Sequence, residues 1–243
     1  KLGYAESNPS ADINGEDVAS KVKILSALSF NSFINESIHV EGIKDINEED
    51  ILNANKLGYK IKLMGFSEVF NNKMYQRVHP TLVKNTSYIA GVNGVLNAVI
   101  VDGKPIGKNI IQGEGAGPSA TTSALVSDIS SILRGNIKFP FGISSTKKKK
   151  YSSGNIIDLS FSSYVRLNVK DKYGVLSDIT KIFSNNKVSI KRVLQSPYKN
   201  KKRSSIIIIT HRSKDNYIQK TLKTLAKKSY IIQKPKLLRI ENG

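Results

Sequence analysis

Residues 162–197 read SSYVRLNVKDKYGVLSDITKIFSNNKVSIKRVLQSP, and a change of period inside this stretch decides the fold. Val165, Leu167 and Val169 alternate with Arg166, Asn168 and Lys170, the two-residue period of a strand. GVLSDITKIFSNN, 174–186, then takes up helical spacing with one apolar face, and VSIKRVLQSP, 188–197, returns to a strand. Downstream, RSSIIIITHR (203–212) reads as a buried strand, NYIQKTLKTLAKK (216–228) as a second amphipathic helix and SYIIQKPKLLRI (229–240) as a last strand. YKNKKR, 198–203, is the hairpin tip between the middle strands. The order is βαββαβ, the split βαβ arrangement of ferredoxin-like domains.

Upstream of this unit, GISSTKKKKYSSGNIID (142–158) carries four consecutive lysines among serines and glycines, with little to bury. That is linker chemistry, solvated and self-repelling. The expected division is therefore a first domain over 1–141, a linker over 142–158 and a second domain over 159–243. In the first domain, EDVASKVKILSALSF (16–30) has helical spacing, with Val18, Val22, Leu25 and Leu28 near one side. INEEDILNANKLG (46–58) reads as a short helix ended by Gly58. Strands are expected at YKIKLMGFSEVF (59–70), KMYQRVHPTLV (73–83) and LNAVIVDG (96–103), the last turning through Asp102-Gly103 into a hairpin. IIQGEGAGPSATTSALVSDISSILRG (110–135) reads as strand, glycine-rich turn, then a helix opening at Pro118 or Ser119 and closing near Gly135. Without regular strand–helix alternation, the class is α+β: a mixed-sheet domain followed by the ferredoxin-like one.

Composition narrows the function. At 243 residues with 39% apolar content the chain can bury a real core, and no apolar run approaches the ~20 residues of a membrane span. The absence of cysteine excludes disulfides, thiolate metal sites and a cysteine nucleophile, and fits a reducing, cytoplasmic setting. His39, His79 and His211 lack metal-site spacing and read as surface or packing residues, so no metal site is expected. The formal charge of +19 is concentrated, with 24 Lys/Arg against 5 Asp/Glu in residues 141–243. A bias toward Lys, Ile and Asn accounts for it, and the aromatics there show no stacking pattern, so neither nucleic acid nor membrane is an expected partner. The first residue is Lys1 without a signal peptide ahead of it, which reads as the later part of a longer protein.

The most suggestive chemistry lies at the start. GYAESNPSADINGEDVASKVKIL, 3–25, sets Glu6, Asp12, Glu16 and Asp17 in a turn-rich run that feeds a helix, with Lys21 one helical turn after Asp17. Residues four apart share a helix face with β-carbons about 6 Å apart. As a surface ion pair this is worth a few tenths of a kcal/mol. Drawn toward an apolar interface, a carboxylate and an ammonium perturb one another and become candidates for proton transfer.

The same run resembles the substrate-binding signature of homoserine dehydrogenases: Gly-Tyr-x-Glu, an Asp in the next turn, then Asp-x-x-x-Lys on a helix. LGYKIKLMG, GVLNAVIVDG and GEGAGPSATTSALVSD add to the resemblance, and VKDKYGVLSDITKIFSNNKVSIKRVLQ is similar to an ACT domain. The resemblance implies reduction of L-aspartate 4-semialdehyde to L-homoserine, or the reverse, with NADP or NAD, in the biosynthesis of threonine, methionine and isoleucine. By the same resemblance Lys21 is the proton donor in reduction and the acceptor in oxidation, beside Asp17, and Glu6, Asp12 and Asp17 hold the substrate. Gly3, Gly115 and Gly117 lie beside the cofactor. The family's nucleotide-binding domain, with its monovalent-cation site and a further catalytic lysine, is not in these residues, so this chain alone is expected to be inactive. A homo-oligomer is implied.

Two departures qualify the match. GEGAG is not GxGxxG, because Pro118 stands where the last glycine falls. At the first strand–helix turn of the ACT-like unit, Asp171 and Gly174 mark where an amino-acid effector such as threonine sits in the family, but Tyr173 replaces the usual proline. A non-catalytic, amino-acid-binding regulatory or dimerising module is the alternative reading.

Overall fold

A computed structural model describes residues 8–33, 36, 38–136, 149–197 and 203–241. Two helices come first, α1 (Ser10–Asn14) and α2 (Glu16–Phe30), and Gly15 is at once the C-cap of one and the N-cap of the other. Its φ of 82° lies in the left-handed region, which glycine occupies without strain. β1 (His39–Val40) and α3 (Glu48–Lys56) follow, the helix opened by a capping box between Asn47 and Asp50. β2 (Tyr59–Phe70) and β3 (Lys73–Lys84) form a twelve-residue hairpin in which Phe70 faces Lys73. Its two turn residues, Asn71 and Asn72, have φ of 48° and 58°, as the tight turn that matches strand twist requires.

The short helix α4 (Tyr88–Gly91) leads to a separate hairpin, β4 (Leu96–Gly103) and β5 (Gly107–Glu114), and then to α5 (Pro118–Leu133). Gly103 pairs with Gly107, so Asp102 and Gly103 stay in the ladder and the turn falls on residues 104–106, not on Asp102-Gly103 as expected. Gly107, at φ 75°, is the residue that takes the left-handed conformation there.

The second unit holds β6 (Ser152–Ser153), β7 (Ser160–Lys170), α6 (Val175–Asn185), β8 (Ile190–Pro197), β9 (Arg203–Thr210), β10 (Ser213–Lys214), α7 (Asp215–Ala226) and β11 (Lys236–Ile240). The order β11-β7-β9-β8, antiparallel throughout, is that of the expected ferredoxin-like sheet. The hairpin tip expected at 198–203 lies largely outside the described residues.

The two units are not strung on a free tether. β11 also pairs with β3, in parallel, through Arg239↔Thr81 and Ile240↔Leu82, so one nine-stranded sheet runs through both. β2 occupies one edge of β3 along its whole length. The other edge receives three short parallel strands in succession: β6 at Lys73–Met74, β1 at Arg77–Val78 and β11 at Thr81–Leu82. The second part of the segment expected to be solvated is therefore anchored, though most of it stays exposed. Ile156 is buried, and Gly154 lies so close to the Tyr75 ring that a Cβ would fall 2.4 Å from it.

The core repeats the fusion. Ile206 and Ile208 face α6 and α7 with Leu167, Ile179, Phe183 and Ile218. Ile207 and Ile209 point to the opposite face, where Ala54 of α3 joins Leu82, Tyr164 and Leu238. The run of four isoleucines is thus buried on both sides, one side by its own unit and one by the first. A third cluster seats α2 on the hairpin through Ala19, Val22 and Val78. Gly65 allows that approach, since a Cβ there would lie 2.2 Å from Val22 Cγ2. No described helix is long and apolar enough to cross a membrane.

Candidate active site

The α1–α2 corner carries three of the expected site residues. Lys21 Nζ donates to Asp17 Oδ2 at 2.6 Å, and the two side chains are 51% and 41% exposed. Asp12 is exposed on α1, three residues before the shared cap at Gly15. Glu6 and Gly3 lie outside the described residues.

The apolar setting differs from the expectation. The buried side of α2 is Ala19, Val22, Ser26 and Ala27, with Val18 partly covered, whereas Leu25 and Leu28 are exposed. The cause is the fit on Gly65: Val18 and Val22 drop onto it and turn the next stripe outward. The ion pair therefore stands at one end of an open row, Ile24, Leu25 and Leu28, at helical spacing on the exposed side. An ion pair with this exposure contributes little to stability. What the geometry offers chemically is a lysine held at a carboxylate beside exposed apolar surface.

The glycine-rich turn stands apart, on the β4–β5 hairpin. At Gly115 the Asn97 side-chain amide lies against the backbone, 1.9 Å from where a Cβ would stand. Gly117, at φ 120° and ψ 156°, has a backbone only glycine adopts readily, and it caps the N-terminus of α5. Of the two, Gly117 is the one whose geometry suits close approach of an anionic or flat group. No side chain of α5 is buried, and Leu125, Val126, Ile129, Ile132 and Leu133 are all exposed.

In the second unit, Asp171 and Gly174 lie at the β7–α6 turn. Gly174 (φ 79°) caps α6 with open space where a Cβ would be. A hollow of about 360 Å³ opens there against Lys172, Gly174, Asp178 and Tyr230, and one of about 190 Å³ touches Asp171, Gly174 and Gln195. Tyr173 is fully exposed. Tyr230 Oη and Lys228 Nζ both donate to Asp178 at 2.9 Å, which holds that carboxyl below its usual value.

Sequence reasoning missed a buried ionic seam where the units meet. Arg77 donates to Glu68 at 2.6 Å and to Glu241 at 2.9 Å, with its guanidinium 4.5 Å from the Phe66 ring centre. His79, fully buried, stacks on Phe66 at 5.3 Å with Nε2 3.2 Å from Glu241 Oε1. Burial and the nearby arginines push its pKa down against the pull of Glu241. Arg239 forks between Asp215 and Glu41, and His39 lies 2.8 Å from Glu41. Burial alone would raise the Glu41 pKa, but His39 and Arg239 together bring it down to about 2. Arg166 binds Asp50 of α3 at 2.7 and 3.1 Å, joined by Tyr164 Oη at 3.2 Å. The signal was charge at alternate positions, Arg77/His79 on β3 and Arg239 on β11 with Glu241 just past its end. Among the described residues no His/Cys/Asp/Glu group is arranged to hold a metal.

With the geometry set out, comparison with known proteins adds identity. A family model described as homoserine dehydrogenase matches residues 1–130, and one described as an AHAS small subunit-like ACT domain matches residues 165–233. The homoserine dehydrogenase of Helicobacter pylori is 35% identical over 242 residues, covering 99% of this chain and 57% of its own length. That of Bacillus subtilis is 33% identical over 218 residues, covering 88% of this chain and 50% of its own. Among solved structures, a homoserine dehydrogenase from Thiobacillus denitrificans has a TM-score of 0.89 at 32% identity, over 99% of this chain and 56% of that one. The S. aureus homoserine dehydrogenase gives 0.66 at 29% identity. The chain spans between 50% and 57% of the length of these relatives.

Proposed function

The chain belongs to the homoserine dehydrogenase family, and from that premise we propose that it is the substrate-binding and regulatory part of an enzyme interconverting L-aspartate 4-semialdehyde and L-homoserine. The observation that carries this reading is the Asp17–Lys21 pair, 2.6 Å apart and half exposed beside the uncovered Ile24–Leu28 row. A site open in this way fits a wall supplied by the remaining length that the relatives possess.

In this reading Lys21 gives a proton to the carbonyl oxygen as negative charge develops there, and takes it back in the reverse direction. Asp17 holds the lysine in place, and Asp17, Asp12 and Glu6 receive the ammonium of the substrate. The nicotinamide nucleotide, NADP or NAD, supplies or accepts the hydride when bound. Gly117 would lie against it, with Gly115 and Gly3 nearby, and most of its binding would come from sequence beyond this chain. The exposed faces of α5 and of β4–β5 would meet that sequence or a second copy. Asp171 and Gly174 would seat an amino-acid effector such as threonine. A cytoplasmic location goes with this activity.

The experiment is Lys21→Ala in the full-length protein. Turnover is expected to fall about 10³-fold, within the range for loss of a general acid or base, with the thermal transition unmoved. Undiminished turnover would return the corner to a structural role and favour a non-catalytic regulatory module.

A further inference from the structure

Arg239 joins the two units at a point where each could be displaced. It is 1% exposed, and its guanidinium is shared between two carboxylates. Nε and Nη2 donate to Asp215 Oδ1 and Oδ2 at 2.8 and 3.2 Å, and Nη1 donates to both Glu41 oxygens at 3.0 Å. Asp215 is the first residue of α7 and is 1% exposed. Glu41 prolongs β1 in the first unit, its N–H donating to Val78 O at 2.8 Å. A cation so buried stays in place only while both partners do.

From Glu41 the packing leads directly to the α1–α2 corner. Ile43 N–H donates to Ile13 O at 2.8 Å. Between them Gly42 presses on the corner so closely that a Cβ would sit 2.3 Å from Ile13 O and 2.8 Å from Asn14 Cα. On the return side, Gly15 faces Val40 and Val78, with the position of its absent Cβ 3.7 Å from Glu41 O. Residues 40–43 thus lie backbone to backbone against 13–15, and close-packed contacts of this kind transmit displacement instead of absorbing it. Asp12 stands one residue before that contact and Asp17 two residues after Gly15, with Lys21 a turn further on.

We propose that Arg239 is a positioning residue for the substrate site: through Glu41 it sets the corner that carries Asp12, Asp17 and Lys21, and through Asp215 it ties that setting to α7 of the ferredoxin-like unit. The inference rests on the reading of Asp12 and Asp17 as substrate ligands and of Lys21 as the proton donor. A shift of the first turn of α7 changes how the guanidinium divides between its two carboxylates, and the corner follows Glu41.

The test uses the full-length protein with Glu41→Gln on the near side and Asp215→Asn on the far side, both nearly isosteric. KM for homoserine is expected to rise about tenfold in the first and about threefold in the second, and kcat to fall by a similar factor because Lys21 moves with the corner, with the nucleotide KM within about twofold. Amide hydrogen exchange at residues 13–15 and 43 should quicken in both, although Asp215 touches none of them. Should Glu41→Gln not fold, Asp215→Asn carries the decision alone. Unchanged KM and unchanged exchange at 13–15, with only a lower melting temperature, would overturn the proposal and leave Arg239 a simple clamp. Because exchange needs no substrate, the two readings part cleanly. Faster exchange in a protein whose wild type ignores homoserine refutes the activity and upholds the coupling, whereas homoserine turnover with undisturbed exchange and KM does the reverse.

Discussion

The seam between β3 and β11 and the arm made of β4, β5 and α5 dispose of their difficult atoms in opposite ways. The seam buries charge: Arg77, Arg166, Asp50, Arg239 and Asp215 are each 6% exposed or less, and they find their counter-groups within the chain. The arm exposes apolar surface: α5 buries no side chain, and Ile111, Ile129 and Leu133 are 66%, 55% and 81% exposed. Buried charge must be paired where it stands, and the arginines of the seam are paired within the chain. A contiguous apolar face on water is a surface in want of a neighbour. The difference separates surface this chain satisfies within itself from apolar surface it leaves open, and the Ile24–Leu28 row beside Lys21 belongs with the arm.

The hardest blow to the seam is Arg239→Met, which strands the carboxylates of Asp215 and Glu41. Breaking a buried pair from one side costs about 3–5 kcal/mol, so urea unfolding should show a loss of this size. A change within 1 kcal/mol would mean that the seam is not what joins the units.

Acid should do the same gradually. Glu41 titrates at about 2 in the fold against 4.5 ordinarily, so its contribution is full above about pH 4.5 and is lost as pH falls toward 2. Glu241 is also lowered and acts in the same direction. His79 is held neutral below its ordinary value of 6.5, so the unfolded chain takes up its proton first and stability begins to fall below about that pH. Melting temperature against pH should decline from near 6.5 downward, more steeply below 4.5. A flat profile between pH 7 and 3 contradicts the seam's electrostatics.

The mildest test concerns the arm. Ile129→Ser should change the stability of the isolated chain by less than about 0.5 kcal/mol, as an exposed site allows, while sedimentation reports weaker assembly in the full-length protein. A core-like loss of stability would show that α5 is packed within the chain after all.

Most of this architecture could be read from local pattern. The strands at 59–70 and 96–103 fall at their expected bounds, and the βαββαβ order holds element by element. Local period shows which face of a strand is buried, but not what lies at its edge. Thr81 and Arg239 meet across about two thirds of the described span, and nothing near either one announces it. Leu25 and Leu28 went astray for a related reason, because α2 has two apolar stripes and only Gly65, on another element, decides which one seats. Asp102-Gly103 looked like a turn from its residue types, yet the chain turns past it, where Gly107 takes the positive φ. At the corner, the Asp17–Lys21 contact followed from helical spacing, but its openness did not, because the side of α2 that seats is chosen by Gly65 on another element.

The three short strands on β3 have a consequence in time. β6 and β11 emerge from the ribosome well after β3, and β11 begins at Lys236. At roughly 5–20 residues per second, Thr81 and Leu82 wait on the order of 10–30 s for their partner. For that interval the nascent sheet offers an unpaired rim to any extended segment nearby, and β11, the last of the described strands, is the one that shuts it.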